Sequence, residues 1–344
     1  MRNNFILIAF TLLYALGVSA QTGKEIVYSN PLWDGYLADP YMFKASDGFY
    51  YVVGTGLKDD NVNNKGVLEY VNHFPLIKSK DLKNWKLVGG VLPSTENNDF
   101  TRYWAPEIVE WRGKFYLFYS GDFRIRVAVS DRVEGPYKDS GKALLENIGF
   151  NIDGHPFYDP LSKSWYLFIA KKFNFKGKKG TGLAVVKLSD DLLSVEGKIY
   201  NISKGFREWQ LFNPDLGDYC VEGATVIYKE GKYWCFYSGG NWKTPTYGVG
   251  CLVSDDIMGS YIDDWSLKYG SVLKTIDDKL IGPGHTSVIL APDNITYLLV
   301  YHSWNQERNK RQVCMDPIEW TPNGPKVLNV GRGERKLKLF LNNR

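Results

Sequence analysis

The run Glu222-Gly223-Ala224-Thr225-Val226-Ile227, the turn pair Glu230-Gly231 and the run Tyr233-Trp234-Cys235-Phe236 decide how the rest of the chain is read. A polar residue opens a short apolar strand, a tight turn follows, and an aromatic-rich strand returns. The pattern recurs four times: Asp39-Pro40-Tyr41-Met42-Phe43 with Tyr50-Tyr51-Val52-Val53; Glu107-Ile108-Val109 with Phe115-Tyr116-Leu117-Phe118; Asp153 through Phe157 with Trp165-Tyr166-Leu167-Phe168; and His285 through Leu290 with Thr296-Tyr297-Leu298-Leu299. Asp47-Gly48, Arg112-Gly113, Ser162-Lys163 and Asp293-Asn294 supply the turns, residue types that accept the backbone angles of a tight hairpin. From leading polar residue to the second position of the aromatic strand the spacings are 12, 9, 13, 12 and 12.

Outward from these pairs, most units carry a third strand: Leu76–Ser79, Ile125–Asp131, Leu183–Lys187 and Val249–Asp255. A fourth, outer strand is expected in each unit. Short antiparallel strands repeated in five units predict an all-β, five-bladed β-propeller, and no stretch has the 3.6-residue periodicity of a long helix. A β-sandwich also has short strands and turns, but it would not place a polar residue at the head of every unit. In a propeller the innermost strands surround one axis, so the leading residues gather at one end of the channel. A strand from residues 21–36 or from Val327–Leu341 is expected to close the ring.

Residues 1–20 read as an export signal rather than part of this domain: Arg2, the apolar run Phe5–Leu16, then small Val18-Ser19-Ala20. The apolar run is short for a membrane anchor, and Gln21 rather than a Cys directly follows the expected cleavage point. Residues 21–344 then form a single propeller in an exported, periplasmic or secreted protein with no membrane contact. With 42 Lys+Arg against 38 Asp+Glu, a net charge of +4, the chain lacks the concentrated basic surface that phosphates demand, so nucleic acid is not the expected partner. Aromatics are 15% of the chain, suited to blade interfaces and to walls that stack on sugars. Cys220, Cys235, Cys251 and Cys314 are too scattered for a disulfide framework or a CxxC metal site. A hairpin centred near Lys243 would put Cys235 opposite Cys251, leaving a cross-strand disulfide open.

Asp39, Glu107, Asp153, Glu222 and His285 form the expected axial set. Several acids in one small space cannot all keep ordinary pKa values, and glycoside hydrolysis needs one carboxyl protonated and another ionised. These residue types alone do not say which is which.

The motifs Leu37-Ala38-Asp39-Pro40, Trp104-Ala105-Pro106-Glu107, Ile152-Asp153 before Pro156-Phe157, Val221-Glu222-Gly223-Ala224 and Gly282-Pro283-Gly284-His285, in that order, resemble glycoside hydrolase family 43. That family comprises five-bladed propeller enzymes acting on arabinosides, xylosides and some galactosides. The resemblance implies Asp39 as general base, Glu222 as general acid and Asp153 as the acid that tunes the donor and orients substrate. It implies inversion of configuration, with the working carboxyls roughly 6.5–9.5 Å apart. Glu107 departs from the commoner Asp at its position and reads as structural. The resemblance also places His285 beneath the sugar, touching substrate or, through waters, a calcium ion in the channel, although the chemistry requires no cofactor. Trp104 would stand at the pocket wall, and Arg311, with Arg308 and Lys310 as neighbouring possibilities, would bond sugar hydroxyls. Trp242 and Trp304 read as loop residues able to build outer walls, the loops Lys58–Phe74 and Lys204–Tyr219 as covers that favour end-on attack, and Lys171–Lys179 as a solvated hairpin tip.

The expected function is an exported inverting glycosidase releasing arabinofuranosyl or xylosyl units from plant polysaccharide fragments. The alternatives are a galactan-active or endo-arabinanase member of the same family, and a catalytically silent carbohydrate-binding propeller. Retention of all three acids disfavours the silent reading.

Overall fold

The computed structural model describes residues 23–59, 71–262 and 270–340; the expected export signal and most of the loop from Lys58 to Phe74 lie outside them. Strand β1 is Lys24–Asn30. The first blade comprises β2 (Ala38–Lys44), β3 (Tyr50–Thr55), β4 (His73–Ser79) and β5 (Lys86–Leu92). The second has β6 (Tyr103–Trp111), β7 (Lys114–Gly121), β8 (Arg124–Ser130) and β9 (Lys138–Ala143). In the third, β10 (Asn151–Asp159), β11 (Ser164–Phe175), β12 (Lys178–Leu188) and β13 (Val195–Asn201) are joined by two short pieces, β14 (Leu211–Asn213) and β15 (Asp218–Tyr219), at the far end of β12. The fourth has β16 (Val221–Lys229), β17 (Lys232–Gly239) and β18 (Gly248–Ser254), and the fifth β19 (Ile281–Leu290), β20 (Tyr297–Trp304) and β21 (Arg311–Pro317). A small hairpin, β22 (Glu319–Thr321) with β23 (Gly324–Lys326), precedes β24 (Gly333–Leu339). The fold is the expected five-bladed propeller.

The aromatic runs become second strands because a blade's middle is covered on both faces. All six residues of β3 are buried, so its sequence is a continuous apolar run rather than an alternating one. Alternation survives in where the side chains go: Tyr51 and Val53 enter the cluster between the first two blades, Tyr50 and Val52 the cluster between the fifth and first. β11 repeats this, with Trp165, Leu167 and Ile169 packing toward the second blade and Tyr166, Phe168 and Ala170 toward the fourth. Five apolar clusters thus fill the five interfaces.

Three local expectations are corrected. The outer strand is regular in the first three blades only; in the fourth, among the described residues, its place is marked by isolated bridges, Val253 to Ile262 and Val249 to Leu273. Both termini, rather than one, close the ring: β1 pairs antiparallel with β24, and the chain leaving β1 bonds the fifth blade through Leu32 N–H to Val313 O (2.8 Å) and Leu37 N–H to Arg311 O (3.0 Å). The cysteines are all free. The β17–β18 register sets Cys235 against Leu252 and Cys251 against Phe236, and this one-residue offset sends the two thiols into different blade interfaces.

Each first strand breaks register at a matching place: between Ala38 and Tyr41, Trp104 and Glu107, Ile152 and His155, Glu222 and Thr225, Gly284 and Ser287, and β19 breaks a second time between Ile281 and Gly284. The residue entering each bulge has a left-handed backbone, with φ of 48° at Asp39, 46° at Ala105, 55° at Asp153, 59° at Gly223 and 46° at His285. Such bulges re-aim side chains, and here they do so around the axis.

Candidate active site

The bulges define the true structural equivalents. Asp39, Ala105, Asp153, Gly223 and His285 correspond; Glu222 sits one residue before its bulge and Glu107 two residues beyond. The equivalence of the five leading polar residues is therefore corrected, and the odd spacing of the second unit is the trace of Glu107's offset. Glu107 lies deeper in the channel, where its Oε2 is 2.8 Å from His155 Nδ1. Val226 N–H donates to His155 Nε2 at 3.0 Å, so Nδ1 carries the ring proton and donates to Glu107. Burial raises the Glu107 pKa, against the pull of His155 and His285.

Strained bulges persist because their N–H groups are captured. In four blades the acceptor is a side chain near the end of the preceding blade's second strand: His302 Nδ1 for Asp39 (3.1 Å), Thr55 Oγ1 for Ala105 (2.9 Å), Ser120 Oγ for Asp153 (2.9 Å) and Ser238 Oγ for His285 (2.7 Å). The corresponding position of the third blade is Ala170, paired with Ile152. It has no acceptor, and the Asp153 carboxylate takes the Gly223 N–H instead, at 3.2 Å. Asp153 is thereby drawn to the backbone adjoining Glu222.

The resulting cavity, about 270 Å3, is lined by Asp39, Trp104, Asp153, Glu222, His285 and Arg311, the six residues singled out from the sequence, and by Arg102, Ile152, Phe212, Trp242 and Lys243. Asp39 accepts from Arg311 Nη1 through Oδ1 (3.0 Å) and from Thr55 Oγ1 through Oδ2 (2.7 Å). Burial disfavours its charge, but Arg311, His285 and the Thr55 hydrogen bond together hold it well below the usual carboxylate range. His302 is driven well down by burial and by Arg311, which keeps Nδ1 free to accept the Asp39 N–H. Asp153 goes the other way: burial, with Glu222 and Asp39 adding to it, pushes its pKa up to about 7 despite His285 and the Gly223 N–H. The site therefore separates an Asp39 carboxylate held ionised from an Asp153 carboxyl that burial keeps protonated toward neutral pH.

Glu222 is half-buried and accepts from the Tyr247 hydroxyl at 2.9 Å through Oε1, and the buried Cys220 thiol also hydrogen-bonds its carboxyl. Tyr247 stacks parallel on His302, centroids 5.8 Å apart. The ring fits because Gly284 has no side chain: a Cβ there would stand 2.1 Å from Tyr247 Cε1. His285 lies over Gly223 with Nδ1 3.5 Å from Asp39 Oδ1. Burial works against its charge, yet Asp39, Asp153, Glu222 and Glu107 raise its pKa. Among the described residues no three His, Cys, Asp or Glu side chains converge to hold a metal ion.

Of the three basic candidates, Arg311, 4% exposed, is the one that reaches the site; Arg308 and Lys310 turn outward to the Lys243 and Asp34 carbonyls. The Arg311 guanidinium lies 4.5 Å over the Trp242 ring and 6.0 Å from that of Trp304. Trp304 ends β20 rather than sitting in a loop, and its indole N–H bonds Trp242 O at 2.8 Å. Trp104 Nε1 donates to Asp59 O (3.0 Å), and Phe123 meets its ring edge-on at 5.4 Å. Of the expected covers, Lys204–Tyr219 delivers Phe212 to the wall. Sequence reading missed Thr55, Ser120, Ser238, His302 and Tyr247. A signal was present for two of them: Phe-Tyr-Ser-Gly occurs at 118–121 and again at 236–239.

Comparison with known proteins shows the family. The family model "Glycosyl hydrolases family 43" matches residues 28–325, and the chain belongs to that family of glycosidases. It is similar to an extracellular exo-α-(1→5)-L-arabinofuranosidase of Streptomyces avermitilis (25% identity over 87% of this chain) and an extracellular endo-α-(1→5)-L-arabinanase of Bacillus subtilis (24% over 84%). The chain spans 60% of the length of the first and 87% of the second. The crystal structure of a thermostable family-43 glycoside hydrolase superposes with a TM-score of 0.77 at 27% identity, covering 89% of this chain and 97% of that one.

Proposed function

We propose that the protein is an exported, inverting glycosidase that removes terminal arabinofuranosyl or xylosyl units from plant polysaccharide fragments. The carrying observation is the opposition, in one small cavity, of an Asp39 held ionised and an Asp153 that burial keeps protonated beside Glu222. Asp39 takes a proton from water as the water oxygen attacks the anomeric carbon; the glycosidic C–O bond breaks and the leaving oxygen receives the proton of Glu222. Asp153 disfavours early loss of that proton. Arg311 and His285 orient sugar hydroxyls, and Trp104 and Trp242 offer ring faces to the sugar's C–H surface. Acid–base hydrolysis of this kind is complete without a metal or cofactor. A cavity walled by Phe212, Trp242 and Lys243 supports attack at a chain end over attack within a chain. Export is supported by the leader-like residues 1–20 and by relatives whose names call them extracellular.

The test incubates purified protein with p-nitrophenyl α-L-arabinofuranoside, β-D-xyloside and β-D-galactoside, then repeats it with Asp39→Asn and Glu222→Gln. Each substitution should lower turnover about 10²- to 10⁴-fold. Equal rates for wild type and both variants would remove the assignment. NMR of the sugar first released should show the inverted anomer.

A further inference from the structure

β11 and β12, at 12 and 11 residues, are the longest strands. Pairing of β11 with β10 ends at Asn151 and Lys171, so beyond Lys171 the hairpin has no partner on its β10 side, at the end where the bulges lie, and is joined on the other side only by β15. Paired residues point to the same face of a hairpin. Phe173 and Phe175 share one face, Lys178 is opposite Phe175, and Gly180, opposite Phe173, adds no side chain. The segment Asn201–Phe206 forms the facing wall of a hollow of about 450 Å3.

Four features of this hollow bear on its occupant. Its apolar surface is aromatic and unusually open, with Phe175 50% and Phe206 43% exposed. Its charge is of one sign: Lys176, Lys178 and Lys204 line it and no acidic side chain does. These lysines are held over rings or carbonyls, Lys204 Nζ 4.0 Å from the Phe175 centroid and Lys178 Nζ 3.2 Å from Phe206 O, and none pairs with a carboxylate among the described residues; the nearby acid Asp218 is taken by Lys179 at 3.6 Å. The wall also continues into the catalytic cavity, since the segment that presents Phe206 here presents Phe212 there.

Flat aromatic faces suit the C–H surface of sugar rings, and ammonium groups suit carboxylates. We propose that this hollow is a second glycan-binding site, for a uronate-bearing polysaccharide chain, and that it holds the polymer beside the catalytic cavity. The assignment rests on the glycosidase reading for its choice of a glycan. Nucleic acid fits less well, because phosphate binding needs an extended basic surface and the whole chain carries only +4.

Affinity electrophoresis through gels containing polygalacturonate tests the site without turnover. Wild type and Glu222→Gln should be retarded, and 0.3 M NaCl should abolish the effect. The double variant Phe175→Ala/Lys204→Ala should bind at least about five-fold more weakly, and Lys204→Arg should restore retardation to a Phe175-intact chain. Hydrolysis of the small aryl glycoside by the double variant should stay within about two-fold of wild type. Should that variant fail to fold, Lys176→Glu/Lys204→Glu replaces it with the same expectation. No retardation of wild type, equal retardation of the variants, or equal or stronger retardation by neutral arabinan or single-stranded DNA would overturn the proposal. Retardation by polygalacturonate from a protein that hydrolyses none of the aryl glycosides would sink the proposed activity and leave the site standing.

Discussion

At the scale of single residues, the site works by giving identical chemical groups opposite environments. Asp39 faces Arg311 and Thr55, while Asp153 faces burial and Glu222. Because the folded-state pKa of Asp153 is raised to about 7, the native protein holds its proton more tightly than the unfolded chain. The stability this protonation preserves is complete below about pH 4 and is lost as pH rises toward 7. Asp153→Asn should therefore match wild type near pH 4 and exceed it at pH 8, by up to about 4 kcal/mol; urea unfolding at both values checks this, and a pH-independent difference would contradict it. Wild-type kcat/KM should fall above about pH 7 as Asp153 loses its proton. Tyr247 holds Glu222 by one oxygen, so Tyr247→Phe should slow hydrolysis of alkyl or oligosaccharide leaving groups, which need protonation, about ten-fold more than that of p-nitrophenyl glycosides. A uniform loss across leaving groups would make Tyr247 merely structural.

The element that matters most is the bulge in each blade's first strand. It turns one residue inward and left-handed, and an N–H clasp to the preceding blade secures it. Two glycines separate backbone strain from site packing. Gly231 has φ +78° with nothing within 4 Å of an added Cβ, whereas Gly223 has φ +59° and its Cβ would meet His285 Nδ1 at 3.1 Å. Gly231→Ala should cost about 1 kcal/mol with turnover unchanged. Gly223→Ala should cost at least that much and also lower kcat by displacing His285. Thermal melts and initial rates decide, and full activity in Gly223→Ala would dissociate that ring from catalysis.

Over the whole molecule, the critical seam is the one between the fifth and first blades. Arg311 and His302 reach across it to Asp39, and the β1–β24 pair covers it with Tyr28, Leu337 and Leu339. Leu337 is 1% exposed and Leu328 59%. Leu337→Ala should cost about 2–5 kcal/mol and reduce activity at temperatures that leave the other interfaces intact, while Leu328→Ala should do neither. Equal behaviour of the two would mean that the terminal clasp contributes little.

The strands, their order and their five-fold repetition were legible because apolar runs and turn residues act locally. The membership of Asp39, Asp153, Glu222 and His285 in one site followed from placing each repeat around a shared axis. What the linear pattern concealed was register. An offset of one or two residues leaves no trace in an apolar run, which is why Glu107 looked equivalent to Asp39 although Ala105 holds that place, and why Cys235 looked opposite Cys251. The choice of Arg311 over Arg308, the support from Thr55, His302 and Tyr247, and the joint closure by both termini were decided only by tertiary structure. Each depends on hydrogen bonds or packing between neighbouring blades, and such contacts join residues whose separation along the chain carries no mark of their proximity.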